Sequence, residues 1–148
     1  MMIPRSALII GISALIPFVW GAATQLVPTL ADFGLRWMGP RFLGPDVSLS
    51  YGTIVLAFNA GILWGFATRA ARNAAGYYLL SLLPALWAFA FVGGSPVASA
   101  LLLAVGFFGL TALNWVFWRH GLAPAWWLRL EVPSAAVAVA CLLLPAFG

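Results

Sequence analysis

Few residues in this chain could do chemistry, and their placement argues against catalysis. Asn59 and Asn114 each lie inside a long uncharged run. A side-chain amide left bare in hydrocarbon is costly, so each needs a partner. That partner is another helix of the chain by default, or else a partner subunit, a self-association face or a bound ligand. His120 is the single histidine and stands beside Arg119. It could titrate near neutral pH, but its position reads as an interfacial loop. Ser81 and Ser99 have no histidine nearby in sequence, so no nucleophile–base pair is legible. Cys141 is alone, which excludes an intrachain disulfide, and no Cys/His cluster has metal-ligand spacing. Asp32, Asp46 and Glu131 form no close pair, and no phosphate-binding loop occurs. No catalytic residue, metal site or cofactor is therefore expected, and the chain reads as a non-enzyme.

The elements that position these residues are membrane helices. The chain has 148 residues, 64% hydrophobic and 7% charged, where a soluble domain carries about 25% charged residues. Lipid is the natural solvent. A spanning helix needs roughly 20 apolar residues. Charge-free stretches run over 6–31, 47–68, 73–118 and 132–148. The third is long enough for two helices and is divided by Gly93-Gly94-Ser95-Pro96, a strong turn signal. The last spans if its helix begins near Trp126-Trp127 and Arg129 snorkels to the interface. The expected fold is an all-α, single-domain bundle of five spans near 6–27, 48–68, 75–93, 96–118 and 127–146. Arg5 and an apolar core fit a signal peptide loosely. The run stays largely apolar to Ala31, so a retained first helix is expected.

Arginine placement sets the expected orientation. Arg5, Arg69, Arg72, Arg119 and Arg129 fall on one side, Arg36 and Arg41 on the other. This puts the N-terminus in the cytoplasm of a bacterial inner membrane, or in the mitochondrial matrix of a eukaryote, and the C-terminus outside. Arg69, Arg72, Arg119, His120, Trp126, Trp127 and Arg129 form the inner interfacial belt. The connection 31–46 mixes apolar residues with Arg, Gly and Pro and is expected to lie on the outer interface as a short helix or turn. A net charge of +4 comes from scattered arginines, so nucleic acid is not an expected partner.

Helical geometry divides the second span into two faces. At about 100° per residue, Ala57, Gly61 and Gly65 form a small-residue stripe with Trp64 at its edge. Such stripes let helix backbones approach closely. The default reading is a groove for another helix of this chain, with a homodimer contact as the alternative. Asn59 falls nearly opposite. Asn114 lies about 7 Å from it in depth, so no direct bond between the two is expected; a shared polar cavity is the alternative. Pro17 and Pro84 fall mid-span and should bend their helices.

Several segments resemble one family. YGTIVLAFNAGILWG (51–65), LLPALWA (82–88), GLAPAWWLRLEVP (121–133) and the opening PRSALIIGISALIPF are similar, in matching order, to the transmembrane-protein-69-like family, a domain of unknown function (3429). The resemblance implies five spans in bacterial inner membranes or mitochondria and no established activity. Leu63 stands where the family is expected to place histidine before Trp-Gly, and Asn114 where it often has an acidic residue. Any activity that depends on those groups is not expected here.

The leading functional expectation is a non-catalytic accessory or assembly component of an inner-membrane complex, acting through lateral contacts with a membrane-protein partner or a second copy. The competing one is a lipid- or quinone-handling protein with an intramembrane cavity at Asn59 or Asn114. A passive small-solute channel is a third. No residue in the middle of a span is ionisable, which disfavours a charge-coupled transporter.

Overall fold

The structure, a computed structural model, describes residues 2–147. It is an all-α bundle, with no strand among the described residues: α1 Arg5–Ser13, α2 Ile16–Leu26, α3 Pro28–Trp37, α4 Asp46–Ala67, α5 Ala74–Phe91, α6 Pro96–Arg119 and α7 Trp127–Phe147. Five helices among these residues, counting α1 and α2 as one, are long and apolar enough to cross a membrane.

The first span is broken where Pro17 predicts. Proline has no N–H to give the Ser13 carbonyl. The Phe18 N–H turns to the Leu15 carbonyl at 3.1 Å, which leaves the Ala14 carbonyl without its usual helical donor. The Tyr51 hydroxyl of α4 supplies one at 2.6 Å. Pro84, by contrast, stays inside a continuous α5. The Gly-Gly-Ser-Pro turn behaves as its residues dictate. The Ser95 hydroxyl caps α6 by accepting from the Ala98 N–H at 3.2 Å, with Pro96 in the first turn. The same helix ends on Gly121 at φ 74, with the Leu122 N–H returning to the Phe117 carbonyl at 3.0 Å. That left-handed stop suits glycine.

The connection between the first two spans forms α3 and a short 3-10 turn, Pro40–Phe42. It is pinned to α2: the Trp20 indole N–H donates to the Phe42 carbonyl at 2.8 Å and the Gly44 N–H to the Thr24 hydroxyl at 2.9 Å.

α4 and α6 form the centre. α6 packs on α4, α5 and α7, while α4 also meets α2. The inward stripe of α4 is Ser48, Gly52, Leu56, Ala60, Leu63 and Ala67. The core around it includes Phe18, Leu103, Phe107, Leu110 and Phe117.

This stripe corrects the intrachain-groove expectation for Ala57, Gly61 and Gly65. All three are exposed, and no atom lies within 4 Å of a Cβ built on either glycine. Trp64 tilts onto Tyr78 of α5 at a ring separation of 4.5 Å, while a Cβ on either glycine beside it would touch no other helix among the described residues. The glycines that do bring helices together lie elsewhere. A Cβ on Gly21 would run into the Ser48 hydroxyl, and one on Gly106 would lie 2.9 Å from both Leu56 and Trp87.

Candidate functional site

A groove of about 370 Å³ opens between the first span, α4 and α7, with α6 as its floor. Phe18 sets its depth, packed edge-on against Tyr51 at 5.1 Å and Phe107 at 5.9 Å. Ile54 and Phe58, both exposed, stand at its edge. Volumes of roughly 300–1,000 Å³ are usual for small-molecule sites, so size permits a ligand. The polar groups decide what kind.

Two of those groups sit on α7, one helical turn apart. Trp127 opens the helix, and Glu131 lies about 6 Å further in at 1.5 Å per residue. They face Thr111 and Asn114 of α6, themselves three residues apart. The Trp127 indole N–H donates to Asn114 Oδ1 at 2.7 Å, and the Thr111 hydroxyl donates to Glu131 Oε1 at 3.0 Å. Asn114, 1% exposed, gives an amide N–H to the Leu110 carbonyl at 3.1 Å. These bonds tie α6 to α7.

The tie does not account for all of Glu131. The residue is 7% exposed, and Oε2 is buried with no hydrogen-bond partner. An unsatisfied buried polar atom costs about 1–3 kcal/mol. A glutamine or serine could accept from Thr111 without placing a carboxyl inside a span. An ionisable residue in that position is a functional hypothesis by default. In the sequence Glu131 stands out only as the charge bounding the last apolar run. The available signal was its spacing four residues after Trp127, which puts both on one face.

Asn59 is half-buried and lines the same groove. One amide N–H goes to the Val55 carbonyl of its own helix at 2.9 Å, not to another helix as the default expectation had it. Asn114 does not join it. Each asparagine bonds the carbonyl four residues earlier, no bond links the two, and Asn114 lies behind Trp127 and outside the groove lining.

The interfacial residues gather at the end of the bundle shared by the N-terminus of α1 and the α4–α5 and α6–α7 connections. Arg119 lies over the Trp115 ring at 5.2 Å, and the exposed His120 gives its Nδ1–H to the Val116 carbonyl at 2.8 Å. Trp126 packs edge-on against Trp127 at 6.0 Å. Arg69 and Arg72 are exposed in the connection before α5, and Arg129 is exposed on α7. No group of three metal-ligating side chains occurs among the described residues.

A second groove, about 550 Å³, lies between α5 and α6 and is lined almost wholly by apolar side chains. Its indole, Trp87, donates to the Leu102 carbonyl at 2.7 Å.

A family model described as "Protein of unknown function (DUF3429)" matches residues 3–147. No curated protein and no solved structure matches the chain.

Proposed function

The chain belongs to that family of unknown function, and from this premise we propose that it is a non-catalytic membrane protein that binds a lipid- or quinone-type amphiphile in the groove between the first span, α4 and α7. The observation that carries the reading is Glu131, a residue lining a largely apolar groove whose carboxyl is buried with one oxygen lacking a hydrogen-bond partner. Asn59 adds a second polar group to that wall. The Arg-rich end of the bundle supports an inner-membrane placement with the N-terminus in the cytoplasm or matrix.

Substituting Ala135→Phe fills the groove from α7. With the protein in nanodiscs and a diazirine-tailed amphiphile as probe, we expect crosslinks concentrated on residues such as Phe58 and Asn59, and their loss in the variant. Crosslinks spread evenly over all outer faces would sink the reading.

A second reading has its own support. The open stripe Ala57-Gly61-Gly65 beside Trp64 suits an accessory or assembly component that a partner helix or a second copy meets laterally. Gly61→Leu would then strip co-purifying protein from the complex. An unchanged set of partners and an unchanged oligomeric state would remove it.

A further inference from the structure

Asn59 brings to the groove a donor and an acceptor that the fold has not used. Its amide nitrogen carries two hydrogens, and one bond is made from it, to the Val55 carbonyl at 2.9 Å. Oδ1 has no hydrogen-bond partner among the described residues, and neighbouring atoms do not seal it off. Other hydrogens in the lining are committed: the Tyr51 hydroxyl to the Ala14 carbonyl, the Trp127 indole to Asn114 and the Ser134 hydroxyl to the Leu130 carbonyl at 2.6 Å. The Glu131 carboxyl is buried and held by Thr111. No Arg or His is among the lining residues. Asn59 also lies deep. It stands eight residues before the Ala67 end of α4, about 12 Å in at 1.5 Å per residue.

We propose that the groove takes a neutral acyl head, a carboxamide or a protonated carboxylic acid on a hydrocarbon tail, paired with the free edge of the Asn59 amide. This rests on the groove being a binding site and deepens that reading by naming the head group. Depth and charge exclude ionic heads. A charge at that depth is costly without a partner, and an anion would meet no cation among the lining residues and the Glu131 carboxyl instead. Hydrogen bonding then selects among neutral heads. A carboxamide or carboxylic acid carries a carbonyl beside an N–H or O–H, so it accepts from Asn59 and donates to Oδ1 at once. An ester only accepts, and a hydroxyl on one amide makes one of the two bonds at a time. The volume of about 370 Å³ holds the head and the first part of a tail, and the tail leaves past exposed Ile54 and Phe58 into lipid.

The test compares dodecanamide with methyl dodecanoate, which keeps the carbonyl and tail but has no donor. Binding is measured to the full chain in nanodiscs. Wild type should prefer the amide by about fivefold, the range for one neutral hydrogen bond. Asn59→Leu removes both partners and should abolish that preference; a preference that survives would overturn the assignment to Asn59. 1-Dodecanol should bind more weakly than the amide, and equal binding would overturn the two-bond head. Dodecanoic acid should bind when protonated and weaken as it ionises, measured relative to dodecanamide over the same pH range. Binding that stays level through its ionisation would overturn the neutral-head assignment. Equal binding of amide and ester by wild type, with both lost in Ala135→Phe, would overturn the head-group proposal while the groove stands. If neither binds wild type, or Ala135→Phe changes nothing, the groove reading itself fails. Should Asn59→Leu not fold, the wild-type amide-to-ester ratio decides alone.

Discussion

The groove between the first span, α4 and α7 measures about 370 Å³, and the one between α5 and α6 about 550 Å³. The larger is the poorer candidate. Its walls are hydrocarbon, and its indole already has a carbonyl partner in Leu102. Lipid tails can fill it with no loss and no selectivity. The smaller groove is lined by Glu131, whose buried Oε2 has no hydrogen-bond partner. In a membrane, where apolar surface is everywhere, an unmet polar group distinguishes a site better than volume does.

The sharpest way to break that contrast is to fill each groove in turn. Ala135→Phe should lower amphiphile affinity by about 100-fold or more, since the ring takes the space the ligand needs. Gly109→Phe, in the larger groove, should leave it unchanged. Loss of binding in the Gly109 variant would reverse the assignment.

A smaller effect separates the two indoles. Trp127→Phe removes the donor from buried Asn114 Oδ1 and should cost about 1–2 kcal/mol in lipid. Trp87→Phe also removes an N–H, but the Leu102 carbonyl keeps its place in the α6 ladder, so less than about 1 kcal/mol is expected. Thermal unfolding in nanodiscs reads both, and equal losses would mean that the Asn114 bond is unexceptional.

The smallest effect lies in the glycines of the two walls. A Cβ at Gly109 meets nothing within 4 Å, while one at Gly11 lies 3.1 Å from Leu130. Gly109→Ala should stabilise by up to about 1 kcal/mol through helix propensity. Gly11→Ala should gain less or turn unfavourable, because Leu130 has to give way. The same melts, run side by side, check the order.

Span positions were legible because charges and a Gly-Gly-Ser-Pro turn punctuate the chain; each expected span end lies within about two residues of an observed helix end. The break at Pro17 was legible for the same local reason. Which face of α4 turns inward was not. In lipid every face is apolar, so residue size alone had to indicate the interior, and it singled out Gly61 and Gly65 when Leu56 and Leu63 face in. The Asn59 face was legible as a face needing explanation, but not the groove beside it. That groove is built from four parts of the chain, and no local spacing brings Phe18, Tyr51, Phe107 and Glu131 together. Glu131 was missed because it stands two residues from Arg129 and looks like part of a loop.

The paired bonds between α6 and α7 also bear on how the chain enters a bilayer. Synthesis delivers α6 first, with Thr111 and Asn114 in need of partners. The next span carries Trp127 and Glu131, which match them. Neither helix alone presents a satisfied surface to lipid. The hairpin does, apart from a single oxygen, so the smallest unit suited to leave the insertion machinery here is two spans together.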